Sequence, residues 1–432
     1  MTQRIPFRVL ALATLLPAAL AACQQASTAY SGPYAKEVNA AIPAIEKSVG
    51  LKFKTMPKVE SRSKDEVRAF LEKKFDEDQP ALEMAGAERA YKLLGLLPDT
   101  LNLRKFLLKL LTEQVVGYYD PATKVLYVVQ TDGAAKDGSI TDIVRITITH
   151  ELVHALQDQY VENGLESLQK IHGDNDRQTA VQSIMEGQAT YEQLSIFVGG
   201  DLAMRMPGGW DRVRQMIRES QATMPVFATA PQLIQETLLF PYLSGAEFVR
   251  QFKEKHPGES PYKSMPTSTE QVLHPDRYLD VLDPPTRITL PKPNGGTVVF
   301  ENNLGEFETR LFILEHTADL GLAARAASGW DGDRYYVVNT GHGAGIAWLT
   351  VWDSPMDAAE FGDAMERMII KRFGAPAGSG GRGEARRFSG KGRTLELTAT
   401  TLQGRPVVLF VDVPAGADTK VIDLAKVKLE TP

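Results

Sequence analysis

Apolar residues recur at helical spacing through most of the first two thirds of the chain. The pattern of an amphipathic helix first appears at Val67, Phe70 and Leu71. Comparable patterns predict helices that begin near Val67, Leu82, Leu103, Thr141, Arg177, Trp210, Pro231 and Ser244. Residues 61–290 are therefore predicted to form a mainly helical domain.

Strand patterns interrupt the helices once and then become frequent near the end of the chain. Residues 115–119 and 124–129 are rich in β-branched and aromatic side chains, with turn-forming residues between them. They predict a small antiparallel hairpin. Further predictions are strands at 335–339, 347–352, 393–403 and 406–413, a helix at 356–373, a turn at 331–333 and hairpin tips at 341–343 and 378–383.

A stretch rich in proline and glycine, residues 284–296, separates the two patterns and predicts a domain boundary. The predicted fold class is α+β, with a mainly helical domain at 61–290 that contains a small antiparallel sheet, followed by a smaller α+β domain at 296–432. Residues 23–60 are predicted to be a tether and a poorly defined lead-in.

The N-terminal segment, residues 1–22, has the layout of a secretory signal, with a basic start, an apolar run and small side chains before Cys23. The segment Leu20-Ala21-Ala22-Cys23 resembles the lipobox of bacterial lipoproteins, which implies lipidation of Cys23 and attachment to a membrane. Because Cys23 is the only cysteine, the chain can form no internal disulfide. In a bacterium with two membranes, Gln24 implies the periplasmic face of the outer membrane. The alternative is a soluble secreted protein.

The composition is that of a globular protein, with 43% hydrophobic and 24% charged residues. The net charge is -6, and it becomes more negative without the signal-like segment 1–22, which carries Arg4 and Arg8 and no acidic side chain. This charge disfavours contact with a phosphate backbone, so nucleic acid is excluded as a partner.

The predicted helix at 141–160 carries the segment His150-Glu151-Leu152-Val153-His154. Residues four apart lie on one face of a helix, so both imidazoles can bind one metal ion while Glu151 remains free to act on a water molecule. The alternative is a surface helix with solvated histidines. The apolar residues around the motif predict a buried helix, in which unpaired polar groups are costly.

A catalytic zinc ion usually has three protein ligands, and Glu186 is predicted to be the third. It lies in an apolar helical segment, where a buried carboxylate needs a partner, and Gly187 beside it suggests close approach of another helix or of the metal. The alternatives are a buried salt bridge at Glu186, or ligands from the preceding loop, namely His172, Asp174 and Asp176.

The histidine motif with the downstream segment Glu186-Gly187-Gln188-Ala189-Thr190-Tyr191 resembles the gluzincin branch of the zincin metallopeptidases over residues 61–285. The resemblance implies a zincin-like fold, a Zn²⁺ cofactor, Glu151 as general base and a protein or peptide substrate. The segment between His154 and Glu186 is longer than its counterpart in the thermolysin-like enzymes and zinc aminopeptidases, so the linking loop differs. The Gly-x-Met-Glu-Asn motif that binds a free amine is absent, which favours an endopeptidase.

The same resemblance implies a side chain that stabilises the oxyanion. His274, Tyr278 and Tyr242 are the candidates, and Tyr118 is a candidate to line the cleft. Asp158 is a candidate to orient a histidine. Two other functions stay open: a non-catalytic envelope scaffold or chaperone, and a zinc amidase acting on cell-wall peptides.

Overall fold

The structure is a computed structural model that describes residues 29–78, 81–130, 141–200, 202–206, 208–376 and 385–431. The predicted signal, Cys23 and the predicted hairpin tip at 378–383 lie outside the described residues. Among the residues that are described, no helix is long and apolar enough to cross a membrane.

The described chain is a mixed α+β protein. Its helices are α1 Ala35–Val49, α2 Lys64–Asp78, α3 Ala81–Leu94, α4 Leu103–Gln114, α5 Asp142–Asp158, α6 Asn175–Phe197, α7 Leu202–Arg205, α8 Gly209–Ala222, α9 Pro225–Ala228, α10 Gln232–Phe240, α11 Ala246–Lys255, α12 Thr269–Leu273, α13 Asp276–Leu279, α14 Gly305–Thr317, α15 Leu320–Ala327 and α16 Pro355–Phe373. Its strands are β1 Lys58–Arg62, β2 Gly117–Asp120, β3 Val125–Val129, β4 Arg287–Thr289, β5 Thr297–Asn302, β6 Trp330–Thr340, β7 Gly343–Trp352, β8 Arg386–Gly390, β9 Arg393–Leu402, β10 Arg405–Pro414 and β11 Lys428–Glu430.

The segment predicted as a poorly defined lead-in forms α1 and β1. Helix α1 buries Val38, Ile42 and Ile45 in a core shared with α5 and β3. Strand β1 pairs in parallel with β3, while β2 pairs antiparallel with it, so the sheet order is β1-β3-β2. The predicted hairpin is present, but the sheet is mixed rather than antiparallel because a strand from the lead-in joins it.

Helices α5 and α6 lie side by side, and α5 packs against strands β2 and β3 of this sheet. The second half of α5 is buried from Ile148 to Asp158, since one side contacts α1 and β3 and the other contacts α6. Thr141 caps α5 by accepting a hydrogen bond from the Val144 N–H at 3.3 Å, close to the predicted start. Asp174 caps α6, so this helix begins at Asn175, two residues before the predicted start near Arg177.

The C-terminal part of the chain contains a six-stranded antiparallel sheet with the order β5-β6-β7-β10-β9-β8. One face packs on α14, α15 and α16, and the other on the chain around Val421 and Val427. The turn predicted at 331–333 is instead part of β6, where a bulge at Trp330/Gly332 lets Asp333 point into the core. The hairpin tip predicted at 341–343 is confirmed between β6 and β7.

The predicted boundary at 284–296 lies between α13 and β5, in a stretch that contains β4. The main hydrophobic core continues across it, because the rings of Phe240 and Phe307 stack with centroids 3.9 Å apart. The division into two domains stays a prediction, and both parts share this core.

Candidate metal centre

Helix α5 presents the two histidines on one face. His150 and His154 are separated by one helical turn, and their Nε2 atoms are 3.1 Å apart. Both side chains are about nine-tenths buried. The buried position of α5 thus brings two imidazole nitrogens to one point, as helix spacing predicts.

Helix α6 brings Glu186 to the same point. Its Oε2 atom lies 3.1 Å from His150 Nε2 and 3.5 Å from His154 Nε2. The ligand atoms of the three residues all lie within 4.8 Å of one another, which makes them a group that could hold a metal ion.

Two glycines permit the packing around Glu186. A Cβ atom on Gly187 would lie 2.2 Å from the carbonyl carbon of Gly245. A Cβ atom on Gly245 would lie 2.0 Å from the backbone carbonyl oxygen of Ser183. Only glycine allows the two backbones to approach this closely. The π-helical turn Pro241–Gly245 therefore lies directly on α6 and carries Tyr242 to the site. Gly187 is explained by the close approach of another element, as the sequence suggested.

Each histidine has a glutamine behind it. His150 Nδ1 lies 2.8 Å from Gln193 Oε1, and His154 Nδ1 lies 2.8 Å from Gln157 Oε1. With these assignments each Nδ1 carries the hydrogen and each Nε2 presents a lone pair. When both imidazoles are neutral, two lone pairs and a carboxylate oxygen face one another, and such a set of acceptors is stabilised by a cation. The donor set, two nitrogens and one oxygen, fits a zinc ion.

The charges of the ligand side chains are coupled. Burial lowers the pKa of the His154 imidazole, but the facing Glu186 carboxylate outweighs burial and raises that pKa to about 9. Burial favours the neutral form of Glu186, yet the histidines lower the pKa of its carboxyl far below the ordinary range. Without a metal, a protonated His154 therefore faces an ionised Glu186 at neutral pH. Metal binding requires the ionised Glu186 and would release the proton of His154.

Glu151 lies beside the ligands and next to the sheet. Its Oε2 atom accepts a hydrogen bond from the Tyr119 backbone N–H at 2.8 Å, so the edge strand β2 fixes the direction of the carboxylate. Glu151, His150, His154 and Glu186 line one cavity of about 650 Å³. The carboxylate thus faces the space in front of the metal ligands.

Tyr242 is the oxyanion candidate that lies in this cavity. It lines the cavity together with Glu186, and its ring centroid is 6.2 Å from that of His150. The negative charge of Glu186, together with burial, raises the pKa of Tyr242 well above its ordinary value. The hydroxyl remains protonated at neutral pH and can donate a hydrogen bond.

The other predicted contact residues have different positions. His274 Nε2 pairs with Glu306 at 2.8 Å, and the Tyr278 hydroxyl donates to the Ser264 carbonyl, so the structure does not bring either residue to the metal ligands. Tyr118 lines the cavity as predicted, with its ring stacked on Phe70 at 4.5 Å between centroids.

The loop residues that were alternative ligands have other partners. His172 lies 3.3 Å from Glu83, Asp174 caps α6, and Asp176 accepts hydrogen bonds from Thr269. Asp158, predicted to orient a histidine, instead accepts hydrogen bonds from the Tyr119 hydroxyl and from Lys124. Gln157 and Gln193 hold the positions behind the histidines.

Glu270, Asp283 and Asp353 form a second group of carboxylates that could hold a metal ion in the described chain. The guanidinium of Arg277 lies among them, with Nη1 at most 2.9 Å from an oxygen of each. Because the guanidinium already occupies the space between the three carboxylates, this group is not the candidate centre.

Sequence reasoning did not find the two glutamines. Gln157 and Gln193 lie on the same helices as the ligands, three residues after His154 and seven residues after Glu186. A signal was available for Gln157, because it lies on a helix predicted to be buried, and a buried amide needs hydrogen-bond partners.

Residues 296–422 match a family described as a domain of unknown function (DUF8575). No curated protein matches the chain. The chain is similar to the crystal structure of a candidate hydrolase with a novel fold from Chloroflexus aurantiacus, with 20% sequence identity and a TM-score of 0.36, over 58% of this chain and 91% of that chain. The family match starts at Gly296, the first residue of the predicted C-terminal domain, and does not include the metal ligands.

Proposed function

We propose that this protein is a zinc-dependent endopeptidase with a zincin-like fold, in which His150, His154 and Glu186 bind the metal. The observation that carries the proposal is the convergence of two Nε2 atoms and one carboxylate oxygen on a single point, within 3.5 Å of one another. A buried group of this kind, open to a cavity on one side, is typical of a catalytic zinc site.

The residues around the ligands support hydrolysis of an amide bond. When bound, zinc supplies Lewis-acid polarisation of a carbonyl and activation of a water molecule. Glu151, held by the Tyr119 N–H, is placed to take a proton from the attacking water and pass it to the leaving amine. The protonated Tyr242 hydroxyl, in the same cavity as Glu151 and Glu186, is our candidate donor to the oxyanion.

Strand β2 supports binding of an extended peptide. It is the edge of its sheet, and Tyr119 turns its backbone N–H away from β3 and toward Glu151. In a strand, alternate residues direct their backbone groups to the same side, so the Gly117 N–H and C=O also face the cavity. A peptide that pairs with Gly117 would lie across the site.

The lining of the cavity favours apolar, uncharged substrates. Among the described lining residues Glu151 and Glu186 are the acidic ones, and none is lysine or arginine. The apolar lining residues are Leu71, Leu111, Val115, Val116, Ile146, Met216, Ile217, Leu238 and Leu239. A terminal carboxylate or the acidic groups of a cell-wall peptide would find no lysine or arginine among the described lining residues, which argues for an endopeptidase and against the amidase alternative.

The proposal also includes the cellular location of the protein. The signal-like segment 1–22 and the lipobox at Cys23 support a lipid-anchored protein of the cell envelope. The non-catalytic scaffold remains the alternative, and Glu151 argues against it because a scaffold needs no general base.

The zinc-loaded protein is expected to hydrolyse casein and not purified muropeptides. Model peptides with leucine or phenylalanine beside the scissile bond should have a kcat/KM at least about 10-fold higher than matched peptides with aspartate there. The reason is that the described part of the cavity lining offers no lysine or arginine to pair with the aspartate carboxylate. Cleavage products are identified by mass spectrometry. Cleavage of muropeptides alone would favour the amidase, and cleavage of neither substrate would favour the scaffold.

A further inference from the structure

The orientation of the Gln157 side chain is fixed by groups on α6. Gln157 is fully buried, and its Nε2 donates to the Met185 carbonyl at 2.9 Å and to Gln188 Oε1 at 3.1 Å. A backbone carbonyl can only accept, so the amide nitrogen must be on that side. Gln157 Oε1 must then face His154, which requires the hydrogen of His154 to be on Nδ1.

Tyr262 fixes the next member of this chain of hydrogen bonds. Its hydroxyl, from the short helical turn Pro261–Lys263, donates to Gln188 Oε1. Burial raises the pKa of Tyr262 far above its ordinary value, so the hydroxyl remains a donor. Gln188 is itself 3% exposed and accepts from both Tyr262 and Gln157. Three segments of the chain therefore determine which nitrogen of His154 faces the cavity.

We propose that Tyr262, Gln188 and Gln157 form a positioning relay that holds His154 with its Nε2 lone pair toward the metal, an inference that rests on the zinc site of the proposed function. All three members of the relay are neutral. A carboxylate behind His154 would add a third negative charge to a buried site that already contains Glu151 and Glu186. Glutamine orients the imidazole without that charge.

The test removes the tyrosine hydroxyl and leaves its ring in place. In the full-length Tyr262→Phe variant, we expect the Kd for zinc to rise about 10-fold, as measured by competition with a chelator. This is the lower end of the usual loss of metal affinity when a group that hydrogen-bonds to a metal ligand is removed. The visible spectrum of the cobalt(II)-loaded protein should change as well, because a less firmly held His154 alters the ligand geometry. Gln157→Met keeps the side-chain volume, removes every hydrogen bond that Gln157 makes in the relay, and should raise the Kd about 100-fold.

Tyr160→Phe is the matched control. The Tyr160 hydroxyl donates to the Lys52 carbonyl at 2.6 Å, away from the histidines, so this variant should keep the wild-type Kd and cobalt spectrum. Circular dichroism verifies that each variant is folded. If Tyr262→Phe and Gln157→Met both bind zinc as the wild type does, the relay is overturned while the zinc site stands. If the wild type binds neither metal, the zinc site itself fails and the relay with it.

Discussion

Replacement of Glu151 by glutamine is expected to reduce peptide hydrolysis by about 100- to 10,000-fold, the usual contribution of a general base. Zinc should remain bound, because Glu151 does not belong to the group of ligand atoms. The fold should also persist, since the glutamine oxygen can accept the same hydrogen bond from the Tyr119 N–H. The measurements are kcat/KM on an apolar peptide and zinc content per chain.

Glu162→Gln makes the same chemical change at an exposed position and serves as the control. It should leave both kcat/KM and zinc content at wild-type values. A loss of less than about 10-fold in Glu151→Gln would remove Glu151 from the role of base.

Glu186→Gln is expected to weaken zinc binding by more than about 100-fold. This loss exceeds the one expected when a residue that only hydrogen-bonds to a metal ligand is replaced. The variant loses the charge that balances the metal, and a neutral amide oxygen is a poorer ligand. Hydrolysis should fall with zinc occupancy. The Kd for zinc is measured by competition with a chelator.

Changes in the loop before α6 provide the comparison for this variant. His172→Ala and Asp174→Asn should leave zinc binding unchanged, and asparagine keeps the cap of α6. If zinc is instead lost in these loop variants and kept in Glu186→Gln, the metal lies in the loop.

Local signals predicted much of the helical framework and the three residues that the structure brings together as candidate metal ligands. The start of α5 was predictable because a hydroxyl residue at Thr141 precedes a long apolar segment. The choice of Glu186 depended on helix spacing and on burial, both of which can be read along the chain. Gly187 also gave a correct indication of close packing, because glycine inside a helix costs stability unless space is limited.

Features that depend on distant pairing could not be predicted in the same way. Helix α1 contains Pro43, which weakens its helical pattern, and β1 becomes a strand only by pairing in parallel with β3. The choice of Tyr242 over His274 depends on how the turn Pro241–Gly245 packs on α6, which no local pattern reveals. The partners of Gln157 likewise lie on α6, far away in sequence.

The most direct measurement of the central claim is a zinc titration of the metal-free, full-length protein during hydrolysis of an apolar peptide. If zinc is the catalytic metal, hydrolysis is negligible before zinc is added, increases up to about one equivalent, and does not recover in Glu151→Gln at the same zinc occupancy. Hydrolysis that is undiminished in the metal-free protein, or that is absent when stoichiometric zinc is bound, would contradict the claim.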